Sequence, residues 1–193
     1  MSDWFSKHSF ASCLAVAALV SGCEGGVGDP CVPEEEFLKD FSGFSLEQTN
    51  VESRSFQCET RICLVNHFEG RVSCPYGQKD PAAGVTNPCH IPGSADPITV
   101  AVPPQRVKRR ADDSVYCSCR CGGPDKNARY CDCPSGYGCV KLIDDLSLGS
   151  GQLAGSYCIK DGTNYDSSAA GKAKYSELCN PDLATCGDNG VNP

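Results

Sequence analysis

The sequence predicts a small, disulfide-rich, mainly β fold with irregular loops and one or two short helices. It contains 193 residues, of which 16 are cysteines. Leu, Ile, Val and Phe make up only roughly 18% of the chain from Cys23 onward, a level at which burial of apolar side chains alone scarcely supports a fold. Disulfides, which each contribute about 2–4 kcal/mol, are expected to supply the remaining stability. The density of cysteines also indicates an oxidising compartment.

The first 22 residues have the organisation of a signal peptide. A start that carries Lys7 is followed by an apolar stretch over residues 11–20 and by the small residues Ser21 and Gly22. The apolar stretch is shorter than the about 20 residues that a membrane-spanning helix needs. We therefore expect residues 1–22 to direct export and to be removed.

The next residue completes a second pattern, because Val20-Ser21-Gly22-Cys23 resembles the lipobox of bacterial lipoproteins. The resemblance implies that diacylglycerol is attached to the Cys23 thiol and that the chain is cut before Cys23. It also implies that the new amine is acylated by a fatty acid such as palmitate. Residues 23–33, which are rich in Gly and Pro, are then expected to form a lipid-anchored tether that precedes the fold.

The C-terminal residues Cys186-Gly-Asp-Asn-Gly-Val-Asn-Pro193 are similar to the CGDG-V-x-P-G-E repeats of myxobacterial surface proteins, with Asn189 inserted. Together with the lipobox, this similarity implies a cysteine-rich outer-membrane lipoprotein of the kind found in myxobacteria. Glu24 stands after Cys23, where an Asp often retains lipoproteins in the inner membrane. The expected location is therefore the cell envelope, at the outer membrane, with the protein facing the periplasm or the surface.

Cysteine parity predicts a single cross-linked domain over residues 34–193. Cys13 lies in the predicted leader and Cys23 carries the predicted lipid, which leaves fourteen cysteines, an even number, for disulfides. The disulfide cysteines are expected to be Cys31, Cys58, Cys63, Cys74, Cys89, Cys117, Cys119, Cys121, Cys131, Cys133, Cys139, Cys158, Cys179 and Cys186. Five precede the Pro-rich and basic residues 96–113 and nine follow them, so full pairing requires at least one bridge across that stretch. We expect the stretch itself to be an exposed, protease-sensitive loop.

Local patterns place the elements in chain order. Pro33 at the first position, with acids in the turn behind it, indicates a short helix that begins at Pro33 and ends near Ser42-Gly43. Alternating apolar residues and turn signals indicate the other elements. These are β runs at 51–58, 61–68 and 70–76, an edge strand within 96–104, two strands around a Gly/Ser loop between Cys139 and Ile159, and a helix within 167–178.

The C-x-C pairs suggest a hairpin. On a strand, alternate residues share a face, so Cys119 and Cys121 would point the same way, as would Cys131 and Cys133. The Gly-Gly-Pro-Asp sequence at 122–125 is a strong turn signal. A hairpin around this turn would place Cys121 opposite Cys131 and Cys119 opposite Cys133. Bridges between these opposed residues are feasible but not required.

No catalytic constellation is evident, and we expect the protein not to be an enzyme and to need no cofactor. The net charge of −7 argues against nucleic-acid binding. Gly-x-Ser-x-Gly and phosphate-binding glycine loops are absent from the sequence. Cys–His catalysis would have only His67 and His90 to use after the leader, and needs a free thiolate. The acids and amides of residues 161–166 lack the spacing of an EF-hand, and are more typical of turns than of a calcium site.

The function that best fits these patterns is a non-enzymatic, lipid-anchored envelope protein, acting as a structural or binding module at the outer membrane or cell surface. The alternative is a metal- or redox-handling envelope protein that uses the C-x-C clusters. The expected partners are the membrane, through the lipid, and an envelope protein or a polysaccharide. The basic residues 106–110 are one candidate polysaccharide surface. A second is formed by Tyr76, Tyr116, Tyr130 and Tyr137, although tyrosines in short strands more often pack internally.

Overall fold

Two small antiparallel sheets of three strands each form the framework of the protein. A computed structural model describes residues 25–84, 88–145 and 153–186. The first sheet contains β1 (Thr49–Glu52), β2 (Ile62–Asn66) and β3 (Val115–Ser118), in the order β1-β2-β3. The second contains β4 (Arg120–Gly122), β5 (Tyr137–Ile143) and β6 (Gly155–Lys160), in the order β4-β6-β5. The predicted mainly β, disulfide-rich class is confirmed.

Helical elements in the described residues are short. The α-helices are α1 (Ala111–Ser114) and α2 (Ala169–Lys174), and 3₁₀ helices cover Glu34–Phe37, Pro81–Ala83 and Pro181–Leu183. The predicted helix within 167–178 is α2, which begins behind Ser168, whose side chain accepts a hydrogen bond from the Gly171 backbone. The helix predicted from Pro33 is a single 3₁₀ turn over Glu34–Phe37 that ends earlier than expected, because Leu38 already has an extended backbone.

The strand predictions are confirmed in part. β2 lies within the predicted run 61–68, and β5 and β6 pair around the Gly/Ser segment as expected. β1 begins at Thr49 and overlaps the predicted run 51–58 at residues 51 and 52 alone. Residues 70–76 and 96–104 form turns and isolated bridges instead of strands. Proline supplies no N–H to a ladder, and each of these two stretches contains at least one proline.

The chain passes directly from one sheet to the other at Cys119, the single residue between β3 and β4. β4 pairs with β6, with Arg120 opposite Tyr157, and residues 131–136 contain no strand. The predicted hairpin between the C-x-C pairs is therefore wrong. A turn forms at residues 125–128, beginning at the last residue of the predicted 122–125, since the Ala128 N–H donates to the Asp125 carbonyl at 3.3 Å and the Asn127 N–H donates to the Asp125 side chain at 2.8 Å.

The core is divided by β2, whose side chains alternate between two apolar clusters, as the period of a strand requires. Cys63 and Val65 lie in one cluster with Phe68 and other buried residues. Leu64 lies in the other, with Tyr116, Tyr157 and Ile159 as its fully buried members. Disulfide sulfur occupies positions that aliphatic side chains would fill in a larger domain, in keeping with the low aliphatic content of the chain.

Candidate functional site

The disulfide framework contains every cysteine from Cys31 onward. The seven bridges are Cys31–Cys63, Cys58–Cys117, Cys74–Cys89, Cys119–Cys131, Cys121–Cys139, Cys133–Cys158 and Cys179–Cys186. The fourteen predicted disulfide residues are thus all paired. Cys58–Cys117 is the bridge that crosses residues 96–113, as cysteine parity requires.

The C-x-C cysteines form three bridges, and none of them is a bridge that the predicted hairpin would make. Cys119 pairs with Cys131, whose N–H donates to the Arg120 carbonyl at 3.1 Å, so Cys131 lies beside the junction between β3 and β4. Cys121 reaches Cys139 on β5, and Cys133 reaches Cys158 on β6. The C-x-C segments therefore tie three strands of the second sheet together rather than closing one local turn.

These bridges bring several sulfur atoms close together. The Sγ of Cys158 lies 3.4 Å from that of Cys119 and 3.9 Å from that of Cys131, although neither is its disulfide partner. The sulfur atoms of Cys121, Cys133 and Cys158 also lie within 4.8 Å of one another. All of these atoms are oxidised in the structure, so they offer no thiolate to a metal ion.

The N-terminal end of the described chain packs on the first sheet, and the expectation of a free tether over residues 23–33 is wrong from Gly25 onward. The Gly25 N–H donates to the Gln57 carbonyl at 2.7 Å, and the Gly28 N–H donates to the Cys117 carbonyl at 2.8 Å. The Cys117 N–H donates in turn to the Asp29 carbonyl at 2.8 Å. A Cβ on Gly28 would overlap the Tyr137 hydroxyl, and a Cβ on Gly25 would lie 2.9 Å from the Asp29 Cβ. Glycine allows this close packing, so a Gly-rich segment that suggests a linker belongs to the fold.

Residues 96–113 are not a uniformly exposed loop. Ile98 and Val102 are buried against Cys74 in a third apolar cluster. Gln105 is fully buried, where its amide donates to the Arg71 carbonyl at 2.8 Å and its side-chain oxygen accepts from the Ala111 N–H at 3.3 Å. The sequence gives no periodicity here, because irregular backbone, not a strand or helix, presents these side chains to the core.

Arg109 is the least expected buried residue, with only 2% of its surface exposed. Its guanidinium donates to three backbone carbonyls, those of His67, Thr163 and Asn66, each at 2.7 Å. Burial lowers the pKa of Arg109, although it remains protonated at neutral pH. The five donors of a guanidinium can satisfy several carbonyls at once, which offsets the cost of burying its charge.

The basic residues 106–110 therefore do not present a continuous cationic surface. Arg106 pairs with Glu69 and also donates to the Ser176 carbonyl at 3.1 Å. Arg110 pairs with Asp112 at 2.8 Å. With Arg109 buried as well, the proposed polysaccharide contact through this segment loses its structural basis.

The tyrosine candidates are dispersed. Tyr116 is buried, and its hydroxyl accepts from the Lys160 N–H at 3.0 Å. The ring of Tyr137 packs edge-on against Tyr116, with ring centroids 5.9 Å apart. Tyr130 lies elsewhere, below the Arg120 guanidinium, and donates from its hydroxyl to the Asp125 carbonyl at 2.6 Å. Tyr116 and Tyr137 thus pack internally, and the tyrosines do not form the shared glycan surface considered from the sequence.

His67 and Asp166 have identifiable structural partners. The His67 Nδ1 lies 3.0 Å from the Leu46 carbonyl, and its ring stacks on Tyr165 at a centroid distance of 4.0 Å. Burial lowers the pKa of His67, and the nearby charge of Arg109 acts in the same direction. The Asp166 side chain accepts from the Ser168 N–H at 2.9 Å, which places it at the start of α2.

Glu36 and Arg71 form a buried polar pair that no sequence pattern indicated, and neither residue has any exposed surface. The Glu36 carboxylate accepts from the Val72 and Ser73 backbones and from the Ser73 hydroxyl. Arg71 donates to the Glu36 and Phe41 carbonyls. Burial raises the pKa of Glu36, whereas these hydrogen bonds and the charge of Arg71 oppose that rise. Glu36 sits in a run of three glutamates, so no local signal distinguishes it from its neighbours.

No family model, no curated protein and no solved structure matches this chain. In the part of the chain that the structure describes, no helix combines the length and apolar character needed to cross a bilayer. Cys23, the predicted lipidation site, lies outside the described residues, as does most of the C-terminal motif that begins at Cys186. Lipidation at Cys23 therefore stays a prediction from the sequence.

Proposed function

We propose that the chain is a lipid-anchored, non-enzymatic protein of the bacterial cell envelope, which acts as a structural or binding module at the outer membrane or cell surface. The observation that carries the proposal is the complete pairing of the cysteines from Cys31 to Cys186. It leaves Cys23, at the end of the lipobox, without an intramolecular thiol partner once the leader with Cys13 is removed. A thiol in that position is the one that lipid transfer consumes.

The chemistry of the described cysteines supports a non-enzymatic role. Nucleophilic Cys–His catalysis requires a thiolate beside an imidazole. Every cysteine between Cys31 and Cys186 is oxidised, and the His67 ring is held between a backbone carbonyl and Tyr165. The same framework suits a module that must stay folded outside the cytoplasm, since disulfides restrict the unfolded chain.

Intact mass spectrometry of the protein extracted from its own membrane tests the proposal. We expect a mass that begins at Cys23 and includes acyl chains, and no alkylation by iodoacetamide before reduction. The matched control is Cys23→Ser, which retains all fourteen disulfide cysteines and should carry no lipid. An unlipidated wild-type chain would overturn the proposal.

The alternative function, metal or redox handling, is favoured by one observation, the close sulfur atoms of Cys119, Cys131 and Cys158. Two bridges, Cys119–Cys131 and Cys133–Cys158, meet at this cluster and would yield four neighbouring thiols on reduction. Elemental analysis of the protein as isolated separates the two functions. Free thiols with bound zinc or copper would favour the alternative, and a metal-free, fully oxidised protein would favour the lipid-anchored module.

A further inference from the structure

The backbone that follows the predicted lipid is held against one particular loop, residues 53–61, termed here the anchor loop. Gly25 lies parallel to Cys58, with its N–H donating to the Gln57 carbonyl at 2.7 Å and its carbonyl accepting from the Glu59 N–H at 2.9 Å. Cys58 is itself fixed by its disulfide to Cys117 on β3. The chain therefore leaves the fold toward its N-terminus at a defined place.

Covalent geometry limits how far the lipid can lie from this loop. Cys23 is separated from Gly25 by Glu24 alone, and an extended chain spans at most about 3.6 Å per residue. The Cys23 Cα thus lies within about 7 Å of the Gly25 Cα, whatever the conformation between them. Acyl chains on Cys23 would therefore enter a bilayer close to the anchor loop.

The anchor loop presents an aromatic side chain to solvent at this place. Phe56 is 79% exposed, more than any other large apolar residue in the described parts of the chain. The Arg61 guanidinium lies 4.6 Å from the centre of its ring. Two backbone hydrogen bonds hold the loop, from the Ser55 N–H to the Arg61 carbonyl at 3.1 Å and from the Arg61 N–H to the Cys58 carbonyl at 2.8 Å. Phe56 is therefore exposed on a loop whose backbone is held in place by hydrogen bonds.

The charges around the anchor loop are mixed. Arg54 and Arg61 are exposed, and so are the acids Glu59 and Asp29, the latter accepting from the Gly26 N–H at 2.8 Å. Attraction to anionic lipid would therefore be small. A ring at the boundary between headgroups and acyl chains buries apolar surface without needing net charge, and an arginine beside it can reach a lipid phosphate.

We propose that the anchor loop is a membrane-contacting surface, in which the Phe56 ring enters the headgroup region and Arg61 contacts lipid phosphate. This inference rests on the proposed lipidation of Cys23. The partner is the phospholipid bilayer that holds the Cys23 lipid. The loop and the lipid together would fix the orientation of the fold on the membrane, because two separate contacts restrict rotation where one does not.

A tryptophan placed at residue 56 reports the contact directly. The only tryptophan of the sequence is Trp4, in the predicted leader, so Phe56→Trp gives the mature chain a single tryptophan, which can be excited selectively at wavelengths that tyrosine does not absorb. The lipidated variant is incorporated into vesicles of phosphatidylethanolamine and phosphatidylglycerol, with and without bromine-labelled phosphatidylcholine. We expect the emission to shift to shorter wavelength on the vesicles and to lose most of its intensity to the brominated lipid. The matched control is Leu183→Trp, at a residue that is 69% exposed in the C-terminal 3₁₀ helix, and it should show neither change.

Vesicle flotation separates the two proposals. A protein that floats while the Phe56→Trp variant keeps a water-like, unquenched emission would overturn the anchor loop contact and leave the lipid anchor intact. A protein that carries no lipid and does not float would overturn both. Quenching at residue 183 equal to that at residue 56 would show that the fold lies on the membrane without a preferred face, which also overturns the inference.

Discussion

At the scale of single residues, buried arginines donate hydrogen bonds to backbone carbonyls that the N–H groups of a strand or helix would satisfy in a more regular fold. Arg109 and Arg71 each donate to several backbone carbonyls at places where irregular segments cross the core. Irregular backbone leaves carbonyls without ladder partners, and a buried carbonyl without a donor costs about 1–3 kcal/mol. A chain with few regular elements therefore benefits from side chains that can donate in several directions.

Arg109→Lys tests this role. An ammonium can reach one of the three carbonyls that Arg109 serves but cannot span all of them, so at least two buried acceptors lose their donors. We expect the free energy of unfolding to fall by about 3 kcal/mol, measured by urea denaturation with the disulfides intact.

The neighbouring Arg110→Lys is the matched control for Arg109→Lys. Arg110 is half-buried and pairs with Asp112, an arrangement that lysine can reproduce, so its stability should change by less than about 0.5 kcal/mol. Equal losses for the two variants would mean that the three carbonyl contacts of Arg109 contribute nothing specific.

His67 makes stability depend on pH. Burial lowers its pKa below the ordinary value of 6.5, so the folded protein favours the neutral ring and the unfolded chain binds the proton more readily. Stability from this residue is therefore fully present above pH 6.5 and is lost as the pH falls through the lowered pKa of the folded state. We expect His67→Asn to remove that part of the acid destabilisation. The measurement is the free energy of unfolding at a pH above 6.5 and at a pH below the lowered pKa of the folded state.

Asparagine is the suitable replacement because His67 has a φ of 51°, in the left-handed region that asparagine tolerates. His90→Asn, at an exposed residue, serves as the control and should leave the acid dependence as it is in the wild type. An unchanged acid dependence in His67→Asn would assign the effect to other groups.

At the scale of elements, the bridge between Cys58 and Cys117 holds three parts of the fold together. It joins the anchor loop to β3, and Gly25 in turn pairs with Cys58 of the anchor loop through its backbone. β2 and β3 are adjacent strands, yet they are far apart in sequence, so closing this contact is entropically costly for a reduced chain. The bridge removes much of that cost.

Removing this bridge should therefore cost more than removing a local one. Cys58 and Cys117 are 59 residues apart, whereas Cys179 and Cys186 are 7 apart. The loop-entropy relation gives a difference of about 2 kcal/mol between replacing the first pair by alanine and replacing the second. Denaturation midpoints of the two double variants measure this difference, and a greater loss from the local pair would contradict the relation for this fold.

At the scale of the whole molecule, the disulfides protect a segment that its composition marks as a protease target. The backbone of residues 105–110 is held by hydrogen bonds, among them those from the Val107 N–H to the Glu177 carbonyl at 3.0 Å and from the Cys179 N–H to the Gln105 carbonyl at 2.8 Å. A protease must extract several residues around the scissile bond, and that requires these contacts to open.

Trypsin should thus leave residues 106–110 intact in the oxidised protein and cut there after reduction. Peptide mass mapping before and after treatment with a dithiol identifies the cleaved bonds. Cleavage at Lys126 or Arg129, which lie in an exposed turn, is the internal control for an active protease. Rapid cleavage behind Arg109 in the oxidised protein would contradict the burial of that side chain.

The fold could be predicted from the sequence only at the level of class. Cysteine number and parity required a bridge across residues 96–113, and the Gly/Ser segment indicated the β5–β6 pair. The pairing of Cys119 and Cys121 could not be predicted, because it depends on β4 lying against β6, a contact between residues that are distant in the chain. The burial of Glu36 and Arg109 could not be predicted either, since charged residues outside regular strands and long helices give no periodic signal.

The position of Gly25 against the anchor loop limits where a partner can be met. A folded unit of this length is about 40 Å across, and here it follows the predicted lipid with almost no intervening chain. If Cys23 is lipidated, such a short attachment would prevent the protein from searching the space above the membrane as a module on a long linker does. Its encounters would be confined to molecules within one protein diameter of the bilayer, and diffusion in the plane of the membrane would set how often they occur.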